Sequence, residues 1–290
     1  MKNLPNFIII GAADSEAAML GEQLARQTGV IMSTPKEPNF FSDDNVYAMG
    51  LDWYVSLFAF LGPGEICGEA SVNYTCLPAG HQTVRRMKAV VPKARLIYVM
   101  RHPVERLIAH YIREWTKRTL SGDIHAALND HPQLISCSRY AYQLEPFLNA
   151  YGADNILPVF YENMQRNPQE ILETVCAFIG YGDTPRWISA LNTPHTAQEQ
   201  IRKSPLRDAI AGNSIVSAIG HALVPKGVRE WAQKPWKMAA PPELTRQESA
   251  RLKRIFNEEL QTLGKWLGIN LDCDRFRDQV ALAPDRFQKI

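Results

Sequence analysis

The chain has 290 residues, of which 46% are hydrophobic and 21% are charged, and this balance is that of an ordinary globular protein. Its formal net charge of +2 is too small to indicate nucleic acid as a partner, although it allows a local basic pocket for a small anion. The apolar run over residues 7–10 is far too short for a signal segment or a membrane span. We therefore expect a cytoplasmic protein without a membrane span.

The cysteines and histidines show no pattern of a metal site. The five cysteines are odd in number and have no CxxC spacing, and the seven histidines form no HExxH or comparable pair. This pattern argues against a disulfide framework and against a zinc site, and it fits a reducing compartment.

Strands and helices alternate along the first part of the chain. We predict strands over residues 7–10, 30–32, 65–69, 95–100 and 156–160, and helices over residues 15–27, 53–60, 81–91, 103–119, 138–150 and 168–179. Alternation of this kind predicts an α/β fold in which helices cover both faces of a parallel sheet.

The chain after residue 185 is predicted to be helical and loop-like. Thr245 and Glu248 have the spacing of a capping box, and apolar residues recur at helical spacing behind them. The proline-rich stretch over residues 234–242 is interpreted as a linker inside the domain. We predict one domain over residues 1–290, with a core at about 5–183, a helical and loop-like part at about 184–270 and a tail at 271–290.

Ligands of open α/β sheets bind at the carboxyl ends of the strands. The segment GAADSEAAML, residues 11–20, follows the first strand there, where helix N–H groups often seat a phosphate. It has a single glycine and no lysine, and the carboxylates of Asp14 and Glu16 would repel a phosphate. The competing interpretation is a self-capped helix with Asp14 or Ser15 as N-cap.

Two further segments after strands carry suitable groups. Glu37, next to Lys36 in PKEPNFF, is a candidate general base, or else the two residues form a surface ion pair beside core phenylalanines. Arg101, at the end of the strand RLIYVM, is placed to bind a phosphate, or else it pairs with Glu105 in the core wall.

Five ordered matches resemble the sulfotransferase family, in the branch that includes the heparan-type enzymes and many bacterial sulfotransferases. They are KEPNFF (36–41), GEASVNY (68–74), RLIYVMRHPVERLIAHY (95–111), SRYAYQLEPFL (138–148) with ILPVFYENMQRNPQEILETVCAFIG (156–180), and RIFNEELQTLGKWLG (254–268). The resemblance runs from about residue 5 to 270. It implies a three-layer, P-loop-like parallel sheet, the donor 3′-phosphoadenosine 5′-phosphosulfate (PAPS) at the first strand–loop–helix, no metal, and a small-molecule or glycan acceptor in a cleft beside it.

The resemblance also implies roles for individual residues. Glu37 falls on the glutamate that acts as base toward the acceptor, and Arg101 falls on the arginine that binds the donor's 3′-phosphate. The full set comprises the catalytic candidates Glu37, Lys36 and Asp14, the donor-binding candidates Gly11, Ser15, Arg101 and Arg139, and the acceptor-side candidates Glu69, Ser71 and Tyr74.

The first loop departs from the family's G-x-x-K-G-G-T pattern. Asp14 stands at the lysine, Ser15 and Glu16 replace the glycines, Ala17 replaces the threonine, and Ala109 replaces the serine that binds the 3′-phosphate. Three hypotheses follow. The protein is a PAPS-dependent sulfotransferase acting on a hydroxyl or an amine, a PAPS-independent enzyme that uses Asp14 as a new acid or base, or a catalytically silent partner or binding protein.

Overall fold

The structure is a computed structural model, and it describes residues 3–59, 61–76, 80–191, 238 and 242–288. One parallel sheet has the strand order β2-β3-β1-β4-β5. The strands are β1 Phe7–Gly11, β2 Val30–Met32, β3 Ile66–Ala70, β4 Arg95–Met100 and β5 Ile156–Phe160. The predicted parallel sheet is therefore confirmed, and the predicted bounds of β2, β4 and β5 agree to the residue.

Helices cover both faces of the sheet. In chain order they are α1 Ala17–Ala25, α2 Asp44–Tyr47, α3 Gly50–Ser56, α4 Gly80–Val90, α5 Pro103–Lys117, α6 Ile124–Asp130, α7 Gln133–Ser136, α8 Tyr140–Tyr151, α9 Tyr161–Arg166, α10 Pro168–Ile179, α11 Arg246–Leu267 and α12 Phe276–Val280, with short 3₁₀ turns at Val72–Thr75, Ala153–Asn155 and Ser189–Leu191. The predicted bounds of α10 are those observed. The helix predicted over residues 53–60 begins three residues earlier, at Gly50.

Because successive side chains of a strand point to opposite faces, the sheet separates the core into two layers. Ile8 and Ile10 pack into the cluster that includes residues of α4, α5, α8 and α11, whereas Phe7 and Ile9 pack into the cluster that includes α1 and α10. Gly68 of β3 lies opposite Phe7, and a Cβ at this position would stand 2.3 Å from the Phe7 ring. Only glycine therefore allows this close approach.

Helix α11 starts at the predicted capping box. The Thr245 hydroxyl accepts from the Glu248 N–H at 3.2 Å, and the Thr245 N–H donates to the Glu248 carboxylate at 2.8 Å. Most of the predicted linker over residues 234–242 lies outside the described residues, and the assignment of the chain to one domain stays a prediction. Within the described ranges, no helix combines the length and the apolar character needed to cross a membrane.

The strand order places a crevice beside β1. From β1 the chain goes on to β2, at one end of the strand order. From β4 it goes on to β5, at the other end. Adjacent strands whose connections diverge leave an open crevice at their carboxyl ends, where ligands bind. The crevice expected from this rule is flanked by the loop before α1 and by Arg101 after β4.

Candidate active site

The loop between β1 and α1 brings two acidic residues into the interior. Asp14 and Glu16 both have a left-handed backbone, with φ of 64° and 61°, which costs a residue with a Cβ about 1–2 kcal/mol. Glu16 is the N-cap of α1 and makes no side-chain capping bond, so the predicted capping by Asp14 or Ser15 is wrong. The Ser15 hydroxyl is buried and interacts with the phenol of Tyr140.

The Asp14 carboxylate lies between two arginines of α5. Its Oδ1 is 3.2 Å from Nη1 of Arg113, and its Oδ2 is 3.9 Å from Nη1 of Arg106. Burial raises the pKa of Asp14, and the two guanidinium groups, Arg113 foremost, oppose that effect. The loop thus carries a carboxylate at this position, and the cations beside it are supplied by α5.

Arg106 ties this loop to the surrounding helices. Its side chain is fully buried. Its Nε donates to the Ser138 hydroxyl at 2.6 Å, and its Nη2 donates to the Leu134 carbonyl at 2.8 Å and to Nδ1 of His110 at 3.1 Å. Burial and the charge of Arg106 lower the pKa of His110 to about 2, which keeps the imidazole neutral and able to accept. Arg106 is therefore a structural residue.

Arg101 lies at the carboxyl end of β4 beside Tyr161. Its guanidinium stands 5.1 Å from the centre of the Tyr161 ring and 3.3 Å from the Glu105 carboxylate. Glu105 also pairs with Arg277 at 2.6 Å. Burial acts to raise the pKa of Glu105, but the bonds from Arg277 and Arg101 outweigh it and the pKa is lowered. The expected pairing with Glu105 is present, yet the buried Nε of Arg101 has no hydrogen-bond partner among the described residues.

His102 and Glu162 complete this side of the crevice. The His102 N–H donates to the Glu162 carboxylate at 2.8 Å, and Nε2 of His102 lies 2.9 Å from the Cys273 carbonyl. Because a carbonyl only accepts, Nε2 carries the proton and Nδ1 is left as an acceptor. Burial lowers the pKa of His102 and raises that of Glu162.

Buried polar atoms without a hydrogen-bond partner in the described ranges concentrate at this crevice. Each such atom costs about 1–3 kcal/mol, so a group of them in one place indicates a functional site. The atoms include Asp14 Oδ2, Arg101 Nε, His102 Nδ1 and Glu162 Oε2. Among the residues the structure describes, no group of His, Cys, Asp and Glu is arranged to hold a metal ion.

The acceptor-side candidates Glu69, Ser71 and Tyr74 form a fully buried network. Glu69 accepts from the hydroxyls of Tyr54 at 2.6 Å, Ser71 at 2.8 Å and Tyr74 at 3.1 Å. The Ser71 hydroxyl in turn accepts from the Asn39 N–H at 3.1 Å. This geometry suits the network to positioning the segment that follows Glu37. Direct contact with an acceptor stays a prediction for all three residues.

Glu69 is expected to make stability depend on pH. Burial raises its pKa from 4.5 to about 7, despite the opposing hydroxyl bonds. The folded state then holds a proton that the unfolded state has released, so stability falls as pH rises from 4.5 to 7. Relative to Glu69→Gln, the wild type should lose up to about 3 kcal/mol over this range.

Urea unfolding of both proteins at a series of pH values measures this difference. The exposed Glu145 provides the control, because Glu145→Gln should follow the wild type at every pH. A difference between wild type and Glu69→Gln that stays constant with pH would show that Glu69 has the same pKa in the folded and unfolded states.

The catalytic candidates Lys36 and Glu37 border a small cleft against α1. Lys36 is 79% exposed and pairs with Glu22 at 2.9 Å, so the pair expected between Lys36 and Glu37 is replaced by one to α1. Glu37 is partly buried with φ of 50°, and its carbonyl accepts from the Asn39 side chain at 2.9 Å. Both residues line a cavity of about 60 Å³ together with Glu22 and Ala70. The role of Glu37 as a base stays a prediction.

The contacts of Gly11 and Arg139 give both residues a structural role. A Cβ on Gly11 would stand 2.2 Å from the Thr75 hydroxyl, so glycine lets the 3₁₀ turn pack on β1. Arg139 pairs with Glu259 of α11 at 2.9 Å and lies over the Tyr142 ring. Donor binding by either residue stays a prediction, and among their described contacts neither reaches Arg101 or Asp14.

Sequence reasoning missed several residues of the crevice. Arg113 is seven positions after Arg106 and therefore lies on the same face of α5, which helical spacing alone could have shown. Tyr161 and Glu162 directly follow β5, and the rule that ligands bind at the carboxyl ends of strands could have identified them. The sequence gives no indication that Cys76 and Cys137 lie close together, because 61 positions separate them.

The fold and these groups define a three-layer α/β protein with polar side chains gathered at the carboxyl edge of its sheet. The chain belongs to the sulfotransferase family, since the profile described as Sulfotransferase family matches residues 8–185. The crystal structure of a sulfotransferase from Alicyclobacillus acidocaldarius has the same fold, with a TM-score of 0.56 at 22% identity, and the match covers 76% of this chain and 97% of that one.

Two curated mouse (Mus musculus) proteins are similar in sequence. Heparan sulfate glucosamine 3-O-sulfotransferase 3B1 is 29% identical over 188 residues, which are 62% of this chain and 47% of that protein. Bifunctional heparan sulfate N-deacetylase/N-sulfotransferase 1 is 24% identical over 201 residues, which are 62% of this chain and 22% of that protein. The match thus spans half or less of each relative.

Proposed function

We propose that this protein transfers a sulfuryl group from PAPS to a hydroxyl or an amine of a small molecule or a glycan. The observation that carries the proposal is Arg101, which directly follows β4 and whose guanidinium is fixed over the Tyr161 ring with 12% of the side chain exposed. An arginine held in this way is suited to grip a phosphate. The relatives named for sulfation of heparan sulfate support a glycan as acceptor.

The residues of the crevice fit one end of PAPS better than the other. Arg101 fits the 3′-phosphate, whereas the Ser15 hydroxyl is buried beside Tyr140. The loop does not fit the 5′-phosphosulfate as it stands, because Asp14 and Glu16 are acidic and the loop has no lysine. The cation at the loop with some exposure is Arg113, whose side chain is 19% exposed, and it is paired with Asp14.

The chain's own contribution to the chemistry is then the handling of the acceptor. PAPS, when bound, supplies the sulfuryl group that is transferred in line. Glu37, at the edge of the cleft against α1, is the proposed base that removes the proton from the acceptor hydroxyl or amine. The network of Glu69, Ser71 and Tyr74 holds the backbone behind Glu37 through the Asn39 N–H.

A second candidate is a PAPS-independent enzyme with the same acceptor cleft, and one observation favours it. Asp14 is a buried carboxylate with a raised pKa that stands between two guanidinium groups at the crevice. A group of this kind suits acid or base catalysis. In this case Asp14 would take part in the reaction with another donor, and PAPS would not bind.

Binding of 3′-phosphoadenosine 5′-phosphate (PAP) distinguishes the two candidates. Calorimetry on the purified full chain should show binding, and Asp14→Asn should bind at least about tenfold more tightly because one negative charge beside the phosphates is removed. Asp183→Asn removes an exposed carboxylate and should leave the affinity unchanged. If neither the wild type nor Asp14→Asn binds PAP at millimolar concentration, the PAPS proposal is wrong and the second candidate is favoured.

A further inference from the structure

Two of the five cysteines meet beside the loop that carries Asp14. Cys76 follows the 3₁₀ turn Val72–Thr75, and Cys137 follows α7. Their Sγ atoms lie 3.3 Å apart, although 61 positions separate them in the sequence, and both are free thiols. A disulfide has an S–S distance of about 2.05 Å, so closure requires an approach of only about 1.3 Å.

The surroundings of the pair favour a thiolate. The hydrogen bond that Cys76 donates lowers the pKa of Cys137 to about 7, with Arg106 adding to this effect and burial and Asp14 opposing it, and the same bond together with burial raises the pKa of Cys76, so the thiolate of the pair is on Cys137. Burial instead raises the pKa of Cys67 to about 11 and that of Cys176 to about 12. Since the thiolate is the reactive form, the Cys76–Cys137 pair is the reactive one of these sites.

We propose that Cys76 and Cys137 are a site of reversible oxidation that reacts with a small-molecule disulfide and closes to an intramolecular disulfide. Cys76, the more exposed thiol, passes its proton to the Cys137 thiolate 3.3 Å away as its sulfur attacks the small disulfide, and one small thiolate leaves. Cys137 then gives this proton to the departed small thiolate and attacks the Cys76 sulfur, and the second small thiolate leaves. The two cysteines are oxidised and the small disulfide is reduced to two thiols, which take up the proton of the pair and one from solvent.

The disulfide would join two walls of the crevice. Thr75, next to Cys76, donates to the Ile10 carbonyl of β1 at 3.2 Å. Ser138, next to Cys137, is the residue that binds Nε of Arg106. The bond would thus fix the end of β1 against the turn that holds Arg106, and it would do so whether or not PAPS is the donor.

The test is oxidation of the reduced full chain with oxidised glutathione, followed by denaturation, alkylation and peptide mass mapping. We expect one linked pair of peptides containing Cys76 and Cys137, with three of the five cysteines alkylated. The oxidised protein should also melt roughly 5–10 °C higher than the reduced one, because the bond closes a long loop of the unfolded chain.

Three variants sharpen the test. C76S and C137S should each abolish the linked peptides and the rise in Tm, whereas C176S, a buried cysteine of α10, should keep both. The proposal is overturned by five alkylated cysteines after oxidation, by a glutathione adduct that persists on Cys76, or by a link that involves another cysteine. A linked pair without a rise in Tm overturns the claim that the bond fixes the crevice walls.

Discussion

Replacing Arg106 with methionine is expected to lower the free energy of unfolding by about 3–5 kcal/mol, the cost of breaking a buried ion pair from one side. Arg106 is fully buried and bonds Ser138, Leu134 and His110 while it faces Asp14. Methionine fills much of the volume but leaves these acceptors unpaired and Asp14 with one cation fewer. Urea unfolding at neutral pH, followed by fluorescence and circular dichroism, measures the loss.

Arg113→Met is the matched control for this variant. Arg113 also pairs with Asp14, but its side chain is 19% exposed and it makes fewer buried bonds. Its replacement should cost less than that of Arg106, because the bonds to Ser138, Leu134 and His110 stay in place. The double variant Arg106→Met/Asp14→Asn should be more stable than the sum of the single losses predicts, since it removes the stranded carboxylate. Equal losses for Arg106→Met and Arg113→Met would contradict the structural role of Arg106.

Replacing Arg101 with alanine is expected to weaken PAP binding about 10- to 100-fold, the value of a hydrogen bond to a charged group. This prediction depends on the proposed PAPS chemistry. Its place directly after β4 and over the Tyr161 ring suits Arg101 to bind a phosphate. Calorimetric titration with PAP measures the change, and Arg101→Lys should recover only part of the affinity because a lysine cannot form a bidentate pair.

Arg86 offers a closely matched control for Arg101. Both side chains are 12% exposed, both pair with a carboxylate, and both lie over a tyrosine ring. Arg86 is on α4 and contacts Asp44 and Tyr47, away from the loop of Asp14. Arg86→Ala should therefore perturb folding to a similar degree but leave PAP affinity unchanged. If both variants bind PAP equally well, Arg101 does not hold the phosphate.

The sequence by itself determined the family, the strands and most helices, because these depend on local patterns. β4, β5 and α10 are apolar runs of the right period bounded by proline, glycine or polar residues, and their predicted ends agree with the structure. The Thr245–Glu248 capping box is likewise a contact between residues three positions apart. The ordered segments that resemble the sulfotransferases agree with the family profile over residues 8–185.

Only the tertiary structure decided how the charged side chains of the crevice are paired. Asp14 was a candidate N-cap in the sequence, but in the fold it turns to Arg113 and Arg106 on a helix far along the chain. Cys76 and Cys137 are likewise brought together by the packing of distant segments. The physical reason is that a buried charge or thiol must take whatever partner the packing brings within about 4 Å, and local sequence carries no information about that partner.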